Sequence, residues 1–168
     1  MSIDNYILIS VSDDAINPDG TFTFPSGIKI IAPSAFKGCT NLRKIVIPDS
    51  VKQIEDHAFA NCINLEEVVI PEGISTINDY TFSYCENLKS VTIPKSVTDV
   101  CINAFESCYN LEEVIIPGYI NRISSYAFAG CAKLKYVEIG QYKHFSPDFF
   151  IGGHLYIKPK IRKKWRLY

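Results

Sequence analysis

One row of cysteines recurs at a constant interval and limits what this chain can fold into. Consecutive members are 23 residues apart: Cys39, Cys62, Cys85, Cys108 and Cys131. Two further rows with the same step are Phe36, Phe59, Phe82, Phe105, Phe128 and Leu42, Leu65, Leu88, Leu111, Leu134. A fixed period of this length is typical of proteins built from stacked structural repeats. The sequence therefore predicts five coils with one shared template.

Each copy contains a short strand pattern. Buried β-branched residues alternate with outward positions, as in Ile45 and Ile47 or Val68 and Ile70, which indicates a strand with one buried face. A proline follows this pattern in four copies: Pro48, Pro71, Pro94 and Pro117. Because proline cannot donate a hydrogen bond to a sheet ladder, we expect the strand to end at each of them.

The remainder of each copy completes a coil. Apolar residues three apart, such as Phe59, Cys62 and Leu65, have the spacing of a single helical turn, and residues 51–54 have the pattern of an extended return. Such a coil cannot bury its apolar side alone. Only stacking on neighbouring coils hides that side, so the sequence predicts a solenoid.

Two segments of the template carry a family resemblance. Residues 58–65, AFANCINL, and residues 68–71, VVIP, are similar to the BspA-like class of bacterial leucine-rich repeats, and the resemblance extends over residues 22–168. It implies an α/β leucine-rich-repeat solenoid with a parallel β-sheet on one face and short helical turns and extended returns on the other. It also implies a secreted or cell-surface protein whose array binds other proteins and has no active site.

We expect one domain over residues 1–168. Residues 1–21 are predicted to form an N-terminal cap, residues 22–154 the repeats, and residues 155–168 a C-terminal strand and basic cap. The last division rests on residues 155–159, which repeat the strand-then-proline pattern after a shortened turn.

Charge is unevenly distributed along the chain. The formal net charge is −1, but six basic residues lie between positions 158 and 166, which leaves residues 1–157 at −7. An acidic body repels phosphate, so we expect no nucleic-acid partner for the repeats. The basic tail is interpreted as a cap, with a membrane-surface or nucleic-acid element as the alternative.

No segment of the sequence predicts a membrane span or an export signal. The longest apolar runs are a few residues each, well below the ~20 that a spanning helix needs. A secretory signal begins with basic residues, whereas the first basic residue here is Lys29. The sequence therefore does not assign a compartment: this observation argues against export, whereas the resemblance implies a secreted or cell-surface location.

The cysteine row is predicted to point inward. Stacked coils repeat at roughly 4.8 Å, which leaves parallel Cβ atoms farther apart than the ~3.8 Å that a disulfide prefers. We therefore expect reduced thiols that pack as small hydrophobic groups. A metal site would need ligands clustered more closely, and we predict neither a metal nor a cofactor.

Outward positions of the strands form the candidate binding surface. Val46, Val69 and Ile115 are apolar residues around Thr92 on a face open to water, which is typical of a contact patch with a polar rim. The alternative is that β-branched residues simply favour strands. The candidate partner-binding residues are Lys44, Val46, Glu67, Val69, Thr92, Glu113, Ile115 and Tyr136.

Catalytic motifs are absent from the sequence. The three histidines, His57, His144 and His154, have no hydrolase or metalloprotease context. We therefore predict that the chain is not an enzyme. The main hypothesis is a binding module that recognises a protein or peptide through its sheet face, with adhesion as one such role. The alternative is a structural spacer within a larger cell-surface protein. Self-association through the same face is a further option.

Overall fold

Short strands and turns make up the computed structural model, which describes residues 1–4, 6–145 and 160–163, with the backbone alone for 142–145 and 160–163. The strands are β1 (Ser2–Asp4), β2 (Ile7–Ser10), β3 (Ile30–Ile31), β4 (Lys44–Val46), β5 (Gln53–Ile54), β6 (Glu67–Val69), β7 (Thr76–Ile77), β8 (Ser90–Thr92), β9 (Asp99–Val100), β10 (Glu113–Ile123), β11 (Tyr136–Phe145) and β12 (Lys160–Lys163). Their order along the chain is that of a parallel β-solenoid of about six turns.

The predicted strand pattern forms one side of the solenoid. Strands β4 and β6 pair in parallel, with Val46 opposite Val69, and β8 pairs with β10, with Thr92 opposite Ile115. Beyond β10 the ladder continues through β11 to β12. Between β6 and β8 the rows continue without a strand ladder. We call the outward surface of β4, β6, β8 and the starts of β10 and β11 the sheet face.

The predicted extended returns form a second ladder. Strands β2, β3 and β5 pair in parallel, so that Leu8, Ile31 and Ile54 lie in one buried column. Strands β7, β9 and the end of β10 continue the same arrangement. At the N-terminal end β1 pairs antiparallel with β2. The coils from β4 onward therefore contribute a strand to each side, and the core lies between the two sides.

The phenylalanine row lies in one column along the core. Successive rings of Phe36, Phe59, Phe82, Phe105 and Phe128 are stacked with centroids 4.8, 5.2, 5.3 and 5.3 Å apart. Phe22 meets the first ring edge-on at 4.9 Å and closes the column at its N-terminal end. All five stacked rings are buried. This column confirms the predicted register of the coils.

The predicted helical turns are wrong. The only helix in the described residues is a 3-10 turn at Asp13–Ala15. In each coil, the residue before the A-F-x-x-C segment and the residue before its cysteine have positive φ, for example His57 (59°) and Asn61 (61°). Residues in this left-handed region interrupt a right-handed helix. The backbone N–H groups between these positions donate alternately within the coil and to the next coil. The N–H of Ala58 donates to the carbonyl of Glu55 in its own coil, and that of Phe59 donates to the carbonyl of Thr81 in the next coil.

Pro117 does not end its strand, contrary to the prediction. Turns follow the earlier prolines, as where the N–H of Val51 donates to the carbonyl of Pro48 at 2.9 Å. Strand β10 instead runs from Glu113 to Ile123, with an irregular register between Ile116 and Tyr119 that contains the proline. A bulge leaves a residue unpaired, so the missing N–H of Pro117 costs no ladder bond there.

At the C-terminal end, the predicted strand at residues 155–157 lies outside the described residues. Strand β12 occupies Lys160–Lys163 and pairs in parallel with the start of β11, with Tyr136 opposite Lys160.

Candidate functional site

Two apolar side chains stand out on the sheet face. Val46 on β4 is 53% exposed, and Val69, directly opposite it on β6, is 43% exposed. Their strand neighbours Ile45 and Val68 point into the core. Because side chains alternate along a strand, the two adjacent valines are exposed to solvent and do not contribute to core packing.

The other half of the predicted patch is less apolar and less exposed. Thr92 on β8 is exposed, and Ile115, opposite it on β10, is only half-buried. Because β6 and β8 form no ladder, the valine pair and the Thr92–Ile115 pair belong to separately paired parts of the face. The four residues occupy the same position in successive coils, and the structure pairs them two by two.

An ion pair borders the valines. The Nζ atom of Lys44 lies 2.8 Å from an Oε atom of Glu67, and both residues precede a valine by two positions on the same strand. Further along this row, Ser90, Glu113 and Tyr136 are in register, with Tyr136 half-buried. The eight candidate residues therefore occupy two neighbouring rows of one surface.

A second charged row runs beside them. Glu66 accepts ion pairs from Lys89 at 2.6 Å and Arg43 at 3.6 Å, and Lys135 lies 2.8 Å from Glu112. The hydrogen bond and charge of Lys89 lower the pKa of Glu66. These exposed pairs connect equivalent positions of neighbouring coils and favour their register, which agrees with a structural role for the row.

The cysteine row forms a ladder of thiols without disulfides, as predicted. All six cysteines are free, and each thiol of the row donates to a carbonyl of the preceding coil. Cys62 Sγ lies 3.1 Å from the carbonyl oxygen of Phe36, and Cys85 Sγ lies 3.3 Å from that of Phe59. Burial raises the pKa of Cys62, Cys85 and Cys39, the last to about 11.

We expect alkaline pH to destabilise the fold through these thiols. A thiol whose pKa is raised in the folded state keeps its proton while the unfolded chain ionises, so stability is full below pH 9 and falls as pH rises toward 11. Melting temperatures measured at pH 8 and pH 10.5 should therefore differ, and Cys39→Ala should lose part of that difference. An equal pH dependence in the variant would contradict the prediction.

The asparagine row beside the leucines is a hydrogen-bond ladder. Asn110 Nδ2 donates to Asn87 Oδ1 at 3.1 Å, and Asn87 Nδ2 donates to Asn64 Oδ1 at 3.2 Å. Lys133 Nζ ends the ladder by donating to Asn110 Oδ1 at 2.7 Å. At the other end, Asn64 Nδ2 donates to the carbonyl of Thr40 at 2.9 Å, and the backbone N–H of the next residue, Asn41, donates to Asp13 Oδ1 at 2.7 Å. These contacts assign the row a structural role.

Other candidate chemistry is sparse. Cys101 is half-buried with its Sγ 4.0 Å from an Arg122 nitrogen, and burial raises its pKa. Within the described ranges, no three His, Cys, Asp or Glu side chains are close enough to hold a metal ion. No helix in the described part of the chain has the length and hydropathy of a membrane span.

The turn segments between the extended returns and the asparagine ladder form a second exposed surface, which is not among the predicted binding residues. We call it the turn face. Its exposed or half-buried apolar and aromatic side chains are His57, Tyr80, Tyr84, Ile102, Tyr109 and Tyr126. The rings of His57 and Tyr80 stack at 4.7 Å. The signal in the sequence was the recurrence of glycine and asparagine in the same rows, as at Gly38 and Asn61, which marks positive φ.

Parallel strands on one side and buried columns of phenylalanine, cysteine and leucine together define a leucine-rich repeat solenoid. Residues 20–145 match six copies of the sequence profile described as BspA type Leucine rich repeat region. The chain belongs to this family, which confirms the resemblance.

Solved structures of bacterial proteins share the fold. A leucine rich cell surface protein from Faecalibacterium prausnitzii A2-165 is 28% identical with a TM-score of 0.73, over 89% of this chain and 39% of that protein. The T. pallidum leucine rich repeat protein is 31% identical with a TM-score of 0.68, over 71% and 58%. The pneumococcal vaccine antigen PcpA is 25% identical with a TM-score of 0.71, over 88% and 36%.

The chain thus spans between 36% and 58% of the length of these three proteins. No curated protein matches its sequence significantly.

Proposed function

We propose that this chain is a non-catalytic module that binds a protein or peptide through its sheet face. The proposal rests on the exposed valine pair, because Val46 and Val69 add nothing to the core and lie beside the Lys44–Glu67 ion pair. An apolar centre with a polar border is the usual anatomy of a binding surface. Membership of a family that is typically found at the cell surface and is generally non-enzymatic supports it.

The remaining candidate residues extend this surface. Thr92 and Ile115 continue the valine row, and Glu113 and Tyr136 continue the row of Lys44 and Glu67. A partner that lies along the stacking direction would contact both rows. A role in adhesion belongs to this proposal, as does exposure at the cell surface.

We expect Val69→Asp and Ile115→Asp to remove partner binding. A carboxylate placed in the contact has to be desolvated when the partner binds, so affinity should fall by at least about tenfold. The probe is a set of peptides of about 12 residues selected from a random library against the immobilised chain. Binding is measured by calorimetry, and the melting temperature should barely change because both positions point away from the core.

Ile9→Asp is the matched control. Ile9 lies on β2, in the other ladder, and is exposed to the same 43% as Val69. Its variant should bind the selected peptides as the unmodified chain does. If Val69→Asp and Ile115→Asp also bind them with unchanged affinity, the sheet face is not the binding surface.

The second candidate function is a structural spacer within a larger surface protein. It is supported by the repeat architecture, in which each coil contacts its neighbours and every further copy lengthens the array. A spacer needs no ligand, so library selection would return no peptide that depends on Val69. We also propose residues 1–21 as the N-terminal cap, 22–154 as the repeats and 155–168 as the C-terminal cap of one domain.

A further inference from the structure

The turn face keeps large side chains in water. Tyr84 is 38% exposed, Tyr126 is 43% exposed and Ile102 is 44% exposed. These three residues come from three successive coils, so the exposed groups run along the stacking direction. They lie outside the sheet face and take no part in the function proposed above.

Several of the turn-face side chains belong to residues whose backbone has an unfavourable positive φ. Tyr80, Tyr84 and Tyr126 have φ of 56°, 57° and 59°, where bulky residues are rare. At the matching positions of other coils stand Gly38, Asn61, Asn103 and Gly130, which tolerate this region better. The backbone conformation of the turn therefore does not require tyrosine at these positions.

Three of the turn segments, including those of Tyr84 and Ile102 but not that of Tyr126, are acidic. Residues 55–64, 78–87 and 101–110 contain no lysine or arginine and five carboxylates: Glu55, Asp56, Asp79, Glu86 and Glu106. None of the ion pairs between described residues involves these five. By contrast, most charges beside the sheet face neutralise each other in pairs. Asp79 is held in place beside the exposed Ile102, whose N–H donates to its Oδ1 at 2.9 Å.

We propose that the turn face binds an arginine-rich peptide segment. A guanidinium group can stack on an exposed tyrosine ring and at the same time hydrogen-bond to a carboxylate, and the turn face presents both groups within neighbouring coils. The five uncompensated carboxylates select a cationic partner over a neutral or acidic one. This surface is separate from the sheet face, and the inference does not depend on the proposed function.

The test uses a synthetic peptide of about 12 residues in which arginine and glycine alternate, titrated into the full chain. Its matched probe replaces every arginine with citrulline, which has nearly the same shape without the charge. We expect the arginine peptide to bind at least about tenfold more tightly. We also expect its affinity to fall at least about fivefold between about 50 and about 300 mM salt, because the attraction is screened.

Two variants locate the site on the turn face. Tyr84→Gly and Tyr126→Asn introduce residues that occupy the same rows in other coils, so the melting temperature should stay within about 3 °C. Each variant is expected to lower the affinity for the arginine peptide at least about fivefold. The double variant E86Q/E106Q should weaken it further and reduce the salt dependence.

Tyr119→Asn is the control, since Tyr119 is 45% exposed but lies on β10 outside the turn segments. It should leave the affinity unchanged. The proposal is overturned if citrulline and arginine peptides bind equally, if Tyr84→Gly and Tyr126→Asn bind as tightly as Tyr119→Asn, or if no binding occurs at low salt. Val69→Asp has no bearing on these outcomes, so the two surfaces are tested separately.

Discussion

Phe82→Ala is expected to lower the free energy of unfolding by about 3–5 kcal/mol. Phe82 is fully buried, and its ring stacks on Phe59 at 5.2 Å and on Phe105 at 5.3 Å. Truncation removes both ring contacts and leaves a cavity in the middle of the column. The two adjacent coils cannot close it, because backbone hydrogen bonds from Phe59 N–H to the carbonyl of Thr81 at 2.9 Å and from Phe82 N–H to the carbonyl of Ala104 at 2.8 Å fix their spacing. Urea denaturation followed by circular dichroism measures the loss.

Two comparison variants separate the column from general effects. Phe82→Leu keeps most of the volume and should cost less than half as much. Tyr119→Ala removes an exposed aromatic ring and should change stability by no more than about 0.5 kcal/mol. A loss below about 1 kcal/mol for Phe82→Ala would mean that the ring column is not a main source of stability.

Gly118→Val is expected to destabilise the fold by about 3 kcal/mol. Gly118 lies in β10 at the point where the strand passes the preceding coil, and an added Cβ would lie 2.6 Å from the carbonyl oxygen of Lys95 and 3.0 Å from its Cα. Both contacts are with backbone, so no side-chain rotation relieves them. The φ of Gly118 lies outside the left-handed region, so the clash alone produces the effect.

Gly38→Ala provides the opposite case for the same measurement. No atom lies within 4 Å of an added Cβ at Gly38, but its φ is +76°. The only cost is therefore conformational, about 1 kcal/mol. In thermal unfolding, the melting temperature of Gly118→Val should be well below that of Gly38→Ala. The reverse order would show that the close approach of β10 to Lys95 is not present in solution.

The interior of the protein follows from its sequence to an unusual extent, because a repeat states the same information several times. The inward phenylalanine and cysteine columns, the outward rows containing Val46 and Val69, and the extended returns all follow from the 23-residue step. In a single copy, none of these assignments would be secure, since a run such as 68–71 is too short to distinguish a strand from other buried structure.

The helical turns could not be judged from spacing alone. Apolar residues three apart fit a helical turn, but they fit equally well a turn in which every second N–H bonds to the next coil. The hydrogen-bonding partner lies 22 residues away, as between Phe36 and Ala58, and only these bonds to the stacked neighbour stabilise the left-handed positions. Glycine and asparagine in those rows were the available clue.

The candidate surfaces divide in the same way. Alternation along each strand was sufficient to place the eight sheet-face residues in two outward rows. It could not reveal that Lys44 and Glu67 pair at 2.8 Å or that Ile115 is half-buried. Nor could it reveal the turn face, where Tyr80, Tyr84 and Tyr126 share a positive φ that arises only in the folded backbone.

The sequence by itself determined the repeat length, the buried columns and the family, since each depends on residue types that recur in step. Only the tertiary structure decided how the turns are hydrogen-bonded, why β10 continues through Pro117, and which exposed groups share a surface. Those features depend on contacts between coils, and such contacts arise from the distance at which the backbones stack, which no single copy of the template specifies.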